Sequence, residues 1–408
     1  MTRKERLYKT LRGEAVDRPA ISFYEINGYD ELKDPDNPFT IYTDPSWQRV
    51  LKLAHDRTDR IVRLTVPITD KNATTTMKDE NNQWDPSKLL ITDKSIIDID
   101  MKIEGESRFI KTTINAGSKK LTSLTRQNKD INTVWTLEHF LKDIDDFKLW
   151  LDLPVSDLSG TPDIANVLET EKGLADTGII MIDTPDPLAL IGTMFAMEDY
   201  LVIALTEKEL FLRALEKALL YLKKKIKLVS RALPGRLWRI PGPELASPPY
   251  LPPELFKEYV TDFVTPIVEI IHNSNGFARI HSHGKLEKIL DHIIATGCDA
   301  IDPIEPPPQG DVELRMVREK YGERVVLFGN LEVSDIELLP TDQFREKVEK
   351  AINEGTSSNG RGFVLMPSAA PYGRVLSELS TQNYEEIVNV MDKRYGAFRG
   401  CNSTGGIK

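Results

Sequence analysis

The chain has 408 residues, 40% of them hydrophobic and 28% charged, enough apolar material for a large globular core. It carries 63 acidic against 53 basic residues, a net charge of −10 with no Lys/Arg-rich block, which argues against nucleic acid or an anionic membrane surface as a partner. Two cysteines exclude a disulfide framework, no apolar run approaches a membrane span, and the charged start Met1–Glu14 has no apolar signal-peptide core, so a cytoplasmic protein is expected.

Thr2 with Glu5 three positions on is a capping-box pattern; Leu7, Tyr8 and Leu11 fall at helical spacing, and Gly13 ends the run. Arg18–Ile26 reads as a buried strand followed by loop chemistry. From about 61 to 150 apolar residues alternate with Lys, Asp, Asn and Thr, as in Ile96–Ile103 and Phe109–Ile114, and Ala116-Gly-Ser-Lys is a hairpin turn. The spacing predicts an antiparallel region inserted into the main domain, closing with a helix over Trp135–Leu151.

From Ile164 onward the rhythm is helix, short apolar strand, then a loop rich in Pro, Gly and charge. Strands are expected at Ile179–Asp183, Leu237–Pro241, Ala278–Ile280, Ala300–Pro303, Val325–Phe328 and Phe363–Met366. Amphipathic helices are expected at Glu207–Ala232, Pro253–Ser274, Lys285–Ala295, Val312–Tyr321, Thr341–Glu354 and Ser377–Tyr395. Alternation at this spacing predicts a (β/α)₈ TIM-type barrel with an N-terminal helical extension and an inserted antiparallel β region. One of its eight strands is still to be found. An open doubly wound sheet is the alternative, but no GxGxxG follows the first strand. The expected organisation is 1–60 for the first helix and strand, 61–150 for the insert, 151–397 for the rest of the barrel, and a disordered tail over 398–408.

Barrel sites lie at the C-terminal strand ends. His281-x-His283 stands at one such end, where residues two apart project to the same side. Two imidazoles can then share a cation, or one can cap a loop while the other is a satisfied buried donor. Glu305 tops the next strand within reach of the same ion, so His281, His283 and Glu305 form a candidate site for Zn²⁺, or equally for non-haem iron. Asp183, Asp186 and Glu244 also face the mouth as candidate acids or bases, or they cap loops and pair with Arg236 and Arg239. Asn330 after Gly329 binds substrate or finishes a turn.

The opening Arg3–Pro19 resembles the N-terminal signature of the uroporphyrinogen decarboxylase superfamily. So do Gly242-Pro-Glu244, Pro252–Val260, His281-Ser-His-Gly284, Cys298–Pro308, Phe328-Gly-Asn330 and Gly362–Ser368, a resemblance covering about 2–26 and 160–395. The superfamily contains tetrapyrrole decarboxylases and zinc methyltransferases that move methyl groups between a corrinoid protein and a thiol. The decarboxylases carry an arginine-containing run after the first strand; here that place holds Tyr24-Glu-Ile-Asn-Gly-Tyr29, which argues against uroporphyrinogen as substrate. The methyltransferases use His-x-Cys and a later Cys. His281 matches the His, His283 replaces the first Cys, Glu305 matches a Glu of the related methionine synthase barrel, and Ser368 stands at the last Cys. The resemblance implies a metal-dependent methyltransferase acting with a corrinoid, or alternatively a metal-assisted lyase or decarboxylase on a small carboxylic acid. With no Asp-x-His-x-x-Gly motif of its own, the chain would take cobalamin free or from a separate corrinoid protein. A homodimer is left open.

Overall fold

The computed structural model describes residues 1–32, 34–68, 90–358 and 362–396. The tail expected to be disordered, 398–408, lies outside the described residues, as does 69–89 of the insert.

The first helix, Arg3–Arg12, starts on the Thr2/Glu5 capping box and ends at Gly13, whose φ of +72° lets its N–H reach Lys9 and Thr10 carbonyls. Eight parallel strands form one sheet. They are β1 (Ala20–Ile21), β2 (Arg60–Leu64), β7 (Gly178–Asp183), β8 (Leu237–Pro241), β9 (Phe277–His281), β10 (Ala300–Asp302), β11 (Val326–Leu331) and β12 (Phe363–Pro367), in the order β1-β12-β11-β10-β9-β8-β7-β2. The remaining strands, β3 (Ile97–Glu104), β4 (Ser107–Ala116), β5 (Lys119–Asn128) and β6 (Val134–Glu138), make a separate antiparallel sheet.

The parallel sheet is a barrel that Asp59 closes. Its N–H donates to Ile21 O at 2.6 Å, and its Oδ2 accepts from Ile21 N–H at 2.9 Å, joining β1 to the residue before β2. Period-two alternation divides the strands into two cores. Ile179 and Met181 face inward with Leu237 and Phe328, and Leu7 and Leu11 of the first helix pack against this inner cluster, plugging the N-terminal end. Ile180, Ile182, Trp238 and Ile240 face outward into the larger core beneath the helices.

Three expectations are corrected. The missing strand is Arg60–Leu64, which runs from the last residue of the first segment into the stretch assigned to the insert, so the barrel claims that stretch's beginning. Ile61 and Val62 are buried and drive the pairing, while Arg63 interrupts the apolar run that would have announced it. The first strand shrinks from Arg18–Ile26 to Ala20–Ile21, because Glu25 at φ +57° turns the chain over the barrel mouth. The helix expected over Trp135–Leu151 is divided: Val134–Glu138 pairs with β5, and the helix runs only from Ile144 to Asp152, capped by Asp143. The hairpin turn at Gly117-Ser118 is present, with Ala116 opposite Lys119 and Gly117 at φ +69°. After β5 the insert meets the loop following β12, through Asn132 N–H to Tyr372 O at 2.7 Å and Arg374 N–H to Asp130 O at 2.8 Å.

Candidate active site at the barrel mouth

Register places the charged residues of neighbouring strands level with one another. Asp183 of β7 aligns with Arg239 of β8 and Arg279 of β9, while His281 aligns with Asp302 of β10. Each of these shares the inward parity of its strand, so a polar layer lies on top of the inner apolar core. Its charges are matched pairwise. Arg63 sits 2.6 Å from Glu25, Arg239 3.2 Å from Asp183, and Arg279 2.9 Å from Asp302. Arg239 also donates to the Tyr24 hydroxyl at 2.5 Å, and Tyr24 stacks on His281 at a centroid distance of 5.7 Å.

The histidines stand together above this layer, with ring centroids 4.6 Å apart and planes at 88°. Nδ1 of His281 lies 2.8 Å from Asp302 Oδ2, and Nδ1 of His283 lies 2.7 Å from Glu305 Oε1. Burial, reinforced by Arg239, pushes the His281 pKa well below the usual histidine range, so the neutral ring donates its Nδ1–H to Asp302. Burial works against ionisation of Asp302 too, but Arg279 and His281 outweigh it and keep that carboxyl below the ordinary range. Neither Nε2 has a hydrogen-bond partner among the described residues.

Glu305 is not positioned as expected. Its second oxygen accepts from Gly284 N–H at 2.7 Å, so both oxygens are spent within the loop that carries the histidines. Among the described residues no three His, Cys, Asp or Glu are arranged to hold a metal ion. The structure therefore brings His281, His283 and Glu305 together, with Glu305 orienting His283.

The remaining candidates divide. Asp183 is the partner of Arg239. Asp186 caps the helix Pro187–Gly192 by accepting from Ala189 N–H at 2.7 Å, and its burial raises its carboxyl well above the ordinary range. Glu244 accepts from Gly242 N–H at 3.0 Å; burial raises it, and the nearby His283 opposes the rise. Asn330 follows Val326 and Phe328 in inward parity at the top of β11. The close approach of β10 and β11 there needs Gly329, since a Cβ would stand 2.1 Å from Pro303 O.

Four residues escaped the sequence reading: Tyr24, Arg63, Asp302 and Glu332. Asp302 could have been found, since it precedes Pro303 at a strand end. Glu332 follows Asn330 by two positions and is 5% exposed. Its Oε2 accepts from Ser368 Oγ at 3.2 Å, its Oε1 has no partner among the described residues, and burial beside Glu305 pushes it up to about 7.

Residues 187–393, just over half of the chain, match the family model of uroporphyrinogen decarboxylase (URO-D). The chain belongs to the uroporphyrinogen decarboxylase family. Among solved structures, a methyltransferase from Methanosarcina mazei superposes with a TM-score of 0.59 at 14% identity, over 97% of this chain and 99% of that one. At that identity the likeness speaks for the barrel fold. An L-ribulose 3-epimerase has a TM-score of 0.36 at 12% identity, over 62% of this chain and 90% of its own. A D-psicose 3-epimerase from Clostridium cellulolyticum H10 has 0.32 at 9%, over 58% and 94%; scores this low carry no argument. No curated protein matches the sequence. Among the described residues no helix is long and apolar enough to cross a membrane.

Proposed function

We propose that this member of the uroporphyrinogen decarboxylase family is a cytoplasmic methyltransferase, moving a methyl group between a corrinoid and a small acceptor or donor at the barrel mouth. The observation that carries the reading is the histidine pair. Two imidazoles at 4.6 Å have Nδ1 turned onto carboxylates and Nε2 without a partner among the described residues, the orientation in which imidazoles serve a cation. The likeness to a methyltransferase barrel over nearly the full length is consistent with it.

The donor set suits a divalent cation in chemistry, with two imidazole nitrogens in a mouth where several carboxyls are close by. The Nε2 atoms of His281 and His283 would hold the ion, with Glu305 reaching it if released from Gly284. Bound there, Zn²⁺ would lower the pKa of an acceptor thiol and hold it as the thiolate. Asp302 and Glu305 fix the tautomer and tilt of the imidazoles. Tyr24 braces His281 from below and is itself held by Arg239. Asn330 would orient the acceptor, and Glu244 would take its proton. A corrinoid would supply the methyl group to the acceptor's lone pair and keep the electron pair of the bond that breaks. The corrinoid would be supplied free or by a partner protein.

A second reading, a lyase or decarboxylase acting on a small carboxylic acid, is favoured by Glu244, a half-buried carboxyl that desolvation raises despite the nearby His283, the setting of a general acid. One assay separates the two. The enzyme is mixed with methylcobalamin and candidate thiols or folates, and the cobalt spectrum is followed with and without chelator. Metal-dependent demethylation supports methyl transfer; CO₂ release from a small acid with no acceptor-dependent demethylation replaces it.

A further inference from the structure

The antiparallel sheet ends on β3, which pairs with β4 along one edge and, among the described residues, with no strand along the other. The hairpin joining β3 to β4 fixes which backbone groups face that open edge. Glu104 stands opposite Ser107 across a two-residue turn, and Gly105 at φ +57° in its first central position makes the turn type II′. The closing pair of such a turn is hydrogen-bonded, so Glu104, Lys102, Asp100 and Asp98 spend their N–H and C=O groups on β4. Ile97, Ile99, Met101 and Ile103 turn theirs to the open edge.

Their side chains are under-used as well. These four share a face with Arg108, Ile110, Thr112 and Ile114 of β4, all buried. The apolar face continues onto β3 but its cover does not: Met101 is 48% exposed and Ile103 56%. The opposite face of β3 carries Asp98, Asp100, Lys102 and Glu104, all exposed.

Charges on an edge strand ordinarily keep other strands away. Here they also select one partner, a second β3 lying antiparallel to the first. A register centred on Asp100 sets that carboxylate against itself, one centred on Lys102 sets two ammoniums together, and one centred on Ile99 sets Asp98 against Asp100. Centred on Ile103, only Lys102–Glu104 overlap. Centred on Met101, Asp100 of each copy faces Lys102 of the other, Ile99 faces Ile103, and the outward N–H and C=O groups of Met101 meet their own equivalents. Asp98 then faces Glu104, but each has a partner within its own chain: Asn115 Nδ2 donates to Asp98 at 2.7 Å, and Lys102 Nζ lies 2.8 Å from Glu104.

We propose that two copies of this chain associate edge to edge through β3, in the register centred on Met101, so that the two antiparallel sheets run on as one. The proposal stands apart from the chemistry at the barrel mouth.

The test is analytical ultracentrifugation of the full-length protein. At about 0.1 mM, far above a micromolar Kd, the wild type is expected to sediment at twice the 46.2 kDa of one chain. Asp100→Lys brings lysines together across the axis and Lys102→Asp brings aspartates together, so each variant alone should be monomeric with an unchanged circular-dichroism spectrum. Mixed one to one, the two variants restore both opposite-charge pairs and should sediment as a heterodimer, a result that misfolding cannot imitate. A wild type that stays monomeric overturns the proposal and leaves the edge to a strand of another protein. A dimer that survives both single variants, or single variants that remain monomeric when mixed, overturns it too.

Discussion

Nδ1 of His281 meets Oδ2 of Asp302 at 2.8 Å, from strand ends that pair directly across β9 and β10, and the same carboxylate is 2.9 Å from Arg279 Nε. Asp302 thus sits between a permanent cation and a neutral imidazole, and its charge decides which imidazole nitrogen carries the proton. The other nitrogen, Nε2, has no hydrogen-bond partner among the described residues.

Replacing Asp302 by Asn tests this assignment. An amide can donate to Nδ1 as well as accept from it, so the proton can move to Nε2 and block the face that should be free. We expect methyl transfer and zinc affinity to fall about 10–100-fold, with ¹⁵N chemical shifts of His281 reporting the changed tautomer. Unchanged shifts together with full activity would show that Asp302 serves only Arg279.

Asp59 joins the barrel seam to the plug. Besides Ile21 N–H it takes Arg6 Nη1 at 2.5 Å and Arg18 Nη1 at 3.3 Å, and it is wholly buried. Asp59→Asn leaves two buried guanidiniums short of a counter-charge, and should cost about 3–5 kcal/mol in urea unfolding. A loss below about 1 kcal/mol, the range of an exposed pair, would mean that Asp17 alone satisfies Arg6.

Glu31 predicts a pH dependence. Burial pushes its carboxyl up to about 7 from an ordinary 4.5, although Asn27 donates to it from both its backbone and its side chain. The folded protein therefore keeps this proton longer than the unfolded chain does, so the Glu31 contribution to stability is most favourable below about pH 4.5 and declines as pH rises through about 7. Glu31→Gln keeps the acceptor and removes the charge. Its stability relative to wild type should grow between pH 5 and pH 8 by something on the order of 1–3 kcal/mol. A constant difference across that range would place the Glu31 pKa near its ordinary value.

Uroporphyrinogen is expected to pass through unchanged. The loop after β1 presents Glu25, already taken by Arg63 at 2.6 Å, where a polycarboxylate would need free guanidiniums. Coproporphyrinogen formed by the purified enzyme would show that the Arg63–Glu25 pair opens for substrate.

Much of the barrel was legible because each strand from Ile179 onward is a short apolar run buried on both faces and set off by helices of clear period. The capping box at Thr2 and the hairpin at Gly117-Ser118 were legible for the same reason: their chemistry is complete within a few residues of chain. Arg60–Leu64 was not, since Arg63 looks like surface until a distant Glu25 neutralises it. Among the functional residues, His281-x-His283 could be read from period two along one strand. What the two imidazoles face could not, because Asp302, Tyr24 and Glu305 reach them from other elements, and pairing across a barrel is set by sheet register rather than by spacing in the chain. Sequence alone therefore determined most of the elements and the rim of residues at their ends; tertiary structure decided which of those charges cancel, and that both oxygens of Glu305 are engaged.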